Sequence, residues 1–160
     1  MDNSQNDFVL GILAELDFFS DLDYTYLSQL SNLFEERIFN YNDRIFEEDS
    51  LGQSMLVIIS GEVRITQVSE DSSEEALIIL KKGDLFGEMA LIEEMPRSAT
   101  AIAHSNCVIL EINRDKFVNF INKNPENGVK ILWKLTKTLS SRLRETDHKL
   151  KTFISLSKWV

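Results

Sequence analysis

The spacing of apolar residues divides the chain into three parts. Phe8, Leu10, Ile12, Leu13, Leu16 and Phe19 recur at intervals of three and four, and Leu27, Leu30, Leu33 and Phe34 repeat the interval. That period predicts two amphipathic helices in the first third. Ser20 or Asp21 is the expected N-cap of the second, since each offers a side-chain oxygen to orphan N–H groups. From Arg37 the period shortens to two. Ile38 and Tyr41, Ile45-Phe46, residues 55–59, Val63 and Ile65, residues 77–80, and Val108, Leu110 and Ile112 predict six or more short strands. Turn residues separate them: Asn42-Asp43, Ser50-Leu51-Gly52, Ser60-Gly61 and Lys82-Gly83-Asp84. Ser60-Gly61, between two apolar runs, predicts a hairpin turn because Gly accepts positive φ. The acid- and serine-rich residues 69–75 predict an exposed loop tip. Short strands at such even spacing imply a small β-sandwich or barrel.

After Asn113 the helical period returns. Asn113 is the expected cap of a helix over 114–122, and Asn124-Pro125 starts a longer one, Pro being tolerated in a first turn. Within it Val129, Leu132, Thr136, Leu139, Leu143, Thr146, Leu150, Phe153 and Ser157 alternate at three and four residues. This heptad seam is longer than one small barrel can cover, so it predicts a parallel homodimer through the helix. Its three polar positions leave open a helix folded back along its own barrel.

Composition narrows the classes. The chain has 160 residues, long enough for one domain with an appendage, and 43% of them are hydrophobic, too many for intrinsic disorder. A single cysteine, Cys107, rules out a disulfide framework, and only His104 and His148 stand beside it, so no metal site is expected. The acidic, polar start of the chain is unlike a signal peptide, and no apolar run is long enough to span a bilayer. Together these predict a soluble cytoplasmic protein with no membrane contact. Net charge is −9, distributed unevenly: residues 1–94 carry 5 Lys and Arg against 21 Asp and Glu, and residues 95–160 carry 12 against 5. The acidic total argues against bulk nucleic-acid binding. The two unlike parts either face one another or are solvated, or the basic part docks on an acidic partner.

One segment, residues 83–100, carries chemistry. Phe86-Gly87-Glu88-Met89-Ala90-Leu91 has helical character, and Gly87 near its start lets a ligand approach the backbone where a helix dipole favours an anion. Downstream, Pro96 stiffens the approach of Arg97, whose planar fork of donors suits a phosphate. Glu88 repels a phosphate but accepts hydrogen bonds from hydroxyls, as acidic residues do from ribose. Ser98 adds a hydroxyl and Ala99 keeps the wall close. These residues amount to a sugar-phosphate pocket. The plain alternatives are a turn role for Gly87 and a surface ion pair of Arg97 with Glu93 or Glu94.

The same residues closely resemble the phosphate-binding cassette of the cyclic nucleotide-binding domains, written F-G-E-[LM]-A-L, six variable residues, then R-[ST/A]-A-[TS]. Here Phe86-Gly87-Glu88-Met89-Ala90-Leu91 is followed after six residues by Arg97-Ser98-Ala99-Thr100. The resemblance extends over about residues 18–150. Phe18-Phe19-Ser20-Asp21-Leu22 resembles the N-terminal helices, and Arg44-Ile45-Phe46-Glu47-Glu48-Asp49 with Gly52-Gln53-Ser54-Met55 resembles the strand and turn I-F-x-E-G-D-x-G-D-S-M. Residues 58–63 resemble the central hairpin, and Phe117, Asn124-Pro125, Leu139 and Arg142-Leu143 the C-terminal helices.

This resemblance implies an α+β fold: an antiparallel β-roll of the double-stranded β-helix or jelly-roll type, flanked by N-terminal helices and a long C-terminal helix. The expected division is 1–36 for the N-terminal helices, 37–112 for the roll with its cassette at 86–100, and 113–160 for the C-terminal helices. It further implies a ligand site for cAMP or cGMP made of Phe86, Gly87, Glu88, Met89, Ala90, Arg97, Ser98 and Ala99. Arg97 grips the cyclic phosphate, Glu88 accepts from the ribose 2′-hydroxyl, and backbone amides around Gly87, Ala90 and Ala99 complete the cradle. Residues 142–147 align with the activator helix that supplies a base-contacting Thr-Ser pair across the dimer. Thr146 matches and Asp147 replaces Ser, which leans toward cAMP with cGMP as the alternative. Asn42, Asp49 and Glu94 stand where the family has Gly. The first two tolerate left-handed φ, and Glu93-Glu94 beside the anion site lower phosphate affinity unless they turn outward.

The expected function is a stand-alone, non-enzymatic cyclic nucleotide sensor that transmits binding to its C-terminal helix and to an unidentified downstream protein. A ligand-free interaction module of the same fold is the alternative. After the long helix only residues 155–160 remain, so no DNA contact is expected. No serine–histidine–acid spacing, metal cluster or nucleotide-triphosphate loop points to catalysis.

Overall fold

The structure, a computed structural model, describes residues 3–68 and 74–157. The N-terminal part is helix α1 (Asn3–Glu15), a 3-10 turn (Asp17–Phe19) and helix α2 (Tyr24–Ser31). The N-cap of α2 is Asp23, not Ser20 or Asp21: its carboxylate accepts from the Tyr26 N–H at 2.9 Å. The tight turn that buries Phe18 and Phe19 uses Ser20 itself, whose hydroxyl donates to the Asp17 carbonyl. The Tyr26 N–H holds the Asp23 carboxyl below its ordinary range.

Eight strands follow: β1 (Phe34–Phe39), β2 (Arg44–Phe46), β3 (Ser54–Ser60), β4 (Val63–Val68), β5 (Glu74–Leu80), β6 (Leu85–Phe86), β7 (Thr100–Ala103) and β8 (Cys107–Asn113). They form two antiparallel four-stranded sheets, ordered β1-β8-β3-β6 and β2-β7-β4-β5. Phe34, expected at the end of a helix, is the buried first residue of β1. The β1 stretch that follows is an exposed edge of its sheet, so it shows no apolar alternation. The turn at Ser60-Gly61 forms with Gly61 at φ 85°, but it is no hairpin: β3 and β4 lie in opposite sheets, and the turn carries the chain between them. The true hairpin partners are β4 and β5, registered Val63 to Leu80. Of the expected loop 69–75, residues 69–73 lie outside the described residues, while Glu74 and Glu75 belong to β5.

Two apolar cores explain why β3 reads as an unbroken apolar run. Leu56 and Ile58 face the space between the sheets with Val63, Leu80, Phe86, Ala101 and Ile109. Met55, Val57 and Ile59 face the other way, onto Leu13, Phe19, Leu30, Phe117, Ile131 and Leu135 of the helical layer.

Helix α3 (Arg114–Lys123) is capped by Asn113, whose side chain accepts from the Asp115 and Lys116 N–H groups, as expected. Helix α4 (Pro125–Ser157) begins one residue later. It docks through Ile131 and Leu135, which are buried, and Leu139, which is partly so. Of the heptad seam only Leu139 shares this docked face: Val129, Leu132, Leu143 and Leu150 are exposed, so most of its described apolar positions do not pack on the roll. Beyond Arg142 every residue whose burial is described, including Leu143, Leu150 and Ile154, is exposed. The Phe153 and Ser157 side chains of the seam lie outside the described residues. No helix is long and apolar enough to cross a membrane among the described residues.

Among the described residues, the helical layer leaves a buried tyrosine hydroxyl without a partner. The Tyr26 hydroxyl, 4.5 Å ring to ring from Phe120, has no hydrogen bond, and burial followed by the Asp23 charge raises its pKa to about 12. Between the ordinary phenol value and about 12, the unfolded chain releases a proton that the folded chain keeps. Stability therefore falls as pH rises through that window, by roughly 2–3 kcal/mol. Urea titrations at pH 9 and pH 11 are expected to show this slope in the wild type and a flatter one in Tyr26→Phe.

Candidate functional site

The cassette begins where β6 ends. Phe86 belongs to that strand, and the helical turn expected over residues 86–91 is a single 3-10 turn, Glu88–Leu91. Gly87 precedes it in the left-handed region at φ 68°, ψ 13°. A side chain there is excluded twice over: the conformation disfavours L residues, and a Cβ would stand 2.5 Å from Arg97 Nη1 and 3.1 Å from the Ser54 carbonyl oxygen.

Arg97 closes the far side of the cassette and turns inward. It is 8% exposed, which removes the surface pairing with Glu93 or Glu94 as an account of it. Nη1 donates to the Gly87 carbonyl at 3.1 Å and Nη2 to the Ser54 hydroxyl at 3.1 Å. The guanidinium lies over the Phe46 ring, 4.1 Å from its centroid. Nε is buried and has no partner. Burial disfavours the charged form and pulls its pKa down, while Glu111 and Glu88 oppose that shift. A cavity of about 230 Å³ adjoins the guanidinium, lined by Phe39, Ile45, Phe46, Leu51, Gln53, Ser54, Leu56 and Glu111 with Arg97 itself.

Glu88 is 4% exposed and already paired. Its Oε1 accepts from Arg142 Nη1 at 2.6 Å, and Arg142 Nη2 donates to the Leu85 carbonyl, so α4 is tied to the cassette at this point. Glu94 points outward to Arg114 at 3.0 Å rather than toward Arg97.

Not every expected residue converges. Gly87, Glu88, Arg97 and the small buried Ala90 and Ala99 form one cluster around the cassette. The Ala90 N–H, expected in the cradle, donates instead to the Gly87 carbonyl at 3.2 Å because the turn is 3-10. Met89 is 45% exposed and faces away. Ser98 is exposed, and its carbonyl accepts from the Gln67 side chain. Thr146 lies on the exposed stretch of α4, its hydroxyl donating to the Arg142 carbonyl. The residues overlooked in sequence are Ser54, Phe46 and Arg142. The signal for Arg142 was the buried carboxylate itself, which demands a cation.

The site is thus a β-roll cassette that buries one arginine against a left-handed glycine, with an acidic residue beside it. The chain belongs to the cyclic nucleotide-binding domain family, whose profile matches residues 36–124. It is 33% identical over 117 residues to the cyclic AMP receptor protein of Thermus thermophilus, covering 73% of this chain and 52% of that one. It is 30% identical over 151 residues to human cGMP-dependent protein kinase 2, covering 93% of this chain and 19% of the kinase. The chain thus spans about half the length of the first relative and a fifth of the second. A solved cyclic nucleotide-binding domain from Methylobacillus flagellatus superposes with a TM-score of 0.79 at 23% identity, covering 91% of this chain and 82% of that one, a likeness of fold.

Proposed function

We propose that this domain is a regulatory, non-catalytic sensor of cyclic nucleotides that takes cAMP in preference to cGMP. The observation that carries it is Arg97: a guanidinium held inward against Gly87, two of its nitrogens fixed by protein and the third, Nε, buried and unsatisfied. Burying a charge with an unpaired donor is unfavourable unless a ligand completes it, and a cyclic phosphate oxygen is the acceptor that such a fork suits.

Glu88 takes the ribose 2′-hydroxyl. A carboxylate has about four acceptor positions, so Glu88 serves the sugar while it still holds Arg142. Ligand and α4 thereby meet on one side chain. Nucleotide bound at Glu88 alters the strength of the Arg142 contact and shifts α4 between docked positions, to the extent that its affinity for the two positions differs. The exposed seam of Val129, Leu132, Leu143 and Leu150 supports a homodimer through α4, in which Thr146 approaches the base held by the partner. The lean toward cAMP rests on that threonine and on the relative named a cyclic AMP receptor protein.

An empty-pocket interaction module of the same fold is favoured by one observation, the internal pairing of Glu88 with Arg142. Titration calorimetry with cAMP and cGMP separates the two. The sensor binds both, cAMP more tightly. No heat from either at millimolar concentration leaves the interaction module.

A further inference from the structure

For the Nε of Arg97 to face a ligand, the guanidinium plane must be prevented from turning. We infer that Ser54 is the positioning residue that sets this angle, an inference that rests on the cyclic-nucleotide reading above. Ser54 is the first residue of β3, a strand paired with both β8 and β6, and is 7% exposed. Its hydroxyl accepts from Arg97 Nη2 at 3.1 Å, with both side chains buried. Its own carbonyl oxygen stands 3.1 Å from the place a Cβ on Gly87 would occupy, so the same residue also narrows the gap in which the guanidinium sits.

Three contacts fix the guanidinium, and they act differently. The Phe46 face, 4.1 Å away, fixes the plane but leaves rotation within it free. The Gly87 carbonyl anchors Nη1 at one point, about which the group can still pivot. A second anchor at Nη2 removes the pivot, and among the described residues Ser54 is the one side chain hydrogen-bonded to Arg97. The in-plane angle in turn decides where Nε points. Glu111 and Glu88 attract the charge without a hydrogen bond to it, so they stabilise the cation but do not orient the fork. Ser54 therefore acts on phosphate recognition through Arg97.

The test uses the full chain, calorimetry with cAMP, and the two diastereomeric phosphorothioates of cAMP, in which sulfur replaces one or the other exocyclic oxygen. A fixed N–H aimed at one oxygen discriminates between the diastereomers, and a pivoting one does not. Ser54→Ala is expected to weaken cAMP about tenfold and to move the diastereomer ratio toward one, while Ser54→Thr, which keeps the hydroxyl, retains both. In an Arg97→Ala background Ser54→Ala is expected to add no further loss, because its effect runs through the guanidinium. Ser54→Cys, similar in volume with only a weak acceptor, gives the same readings should Ser54→Ala not fold. Affinity and ratio within twofold of wild type in Ser54→Ala or Ser54→Cys, or an equal loss with and without Arg97, overturn the inference while leaving the sensor standing. A wild type that binds neither cAMP nor cGMP overturns both.

Discussion

Arg97→Ala is expected to reduce affinity for cyclic nucleotide by at least about 100-fold in titration calorimetry. Hydrogen bonds to charged groups contribute about 1.5–3 kcal/mol each, and 2.7 kcal/mol corresponds to about 100-fold. The side chain is already desolvated and stacked before a ligand arrives, so it spends little on rearrangement when a phosphate binds. Arg97→Lys is expected to recover only part of the loss. An ammonium keeps the charge but cannot reach the Gly87 carbonyl, the Ser54 hydroxyl and a phosphate oxygen in one plane. Retention of wild-type affinity by Arg97→Ala, in a variant whose thermal transition is intact, would place the ligand elsewhere and remove the proposed site.

The largest effect on stability is expected from Gly61→Ala. Gly61 turns the chain from one sheet to the other at φ 85°, and a Cβ there would lie 2.3 Å from the Asn106 carbonyl oxygen and 2.8 Å from Cys107 Sγ. The left-handed conformation alone disfavours an L side chain by about 1–2 kcal/mol. The nearest obstacle is backbone that cannot rotate away, so the β3–β4 corner must move against a packed core, and a total loss of about 4 kcal/mol or more is expected. Gly11→Ala provides the contrast: its Cβ would meet nothing within 4 Å on helix α1, and replacing helical Gly with Ala stabilises by about 1 kcal/mol. Urea denaturation of the two variants is expected to shift in opposite directions.

How much of this was legible in the sequence follows from how each element is buried. The N-terminal helices, β3 and α3 show clearly because their apolar faces serve a core on one or both sides, and Asn113 stands where a cap is needed. Strand β7 left no signal: all four of its residues are buried, but Thr100, Ala101 and Ala103 carry little hydrophobic contrast around the one isoleucine, Ile102. The separation of β3 from β4 could not be read either, because a Gly turn between apolar runs looks the same whether the strands pair or part. In the cassette, residue types and spacing identify Gly87, Glu88 and Arg97 as a cluster. What they touch depends on contacts across long stretches of chain. Ser54 lies 43 residues from Arg97 and Arg142 lies 54 from Glu88, and no local period links such pairs. The heptad pattern of α4 was legible, but the docked face of Ile131 and Leu135 falls between its positions, since 3.6 residues per turn carries one helix past two different surfaces.

The stretch of α4 beyond Arg142 has the geometry of a lever arm. Residues 143–157 extend about 22 Å at 1.5 Å per residue, and every residue there whose burial is described is exposed. Arg142, bonded to Glu88 and to the Leu85 carbonyl, sits at the fulcrum. A tilt of about 10° there sweeps the far end through roughly 4 Å by the same helical rise. In the proposed sensor, a small adjustment around the Glu88 carboxylate would be read at the far end of α4 as a displacement as large as the separation of two packed side chains.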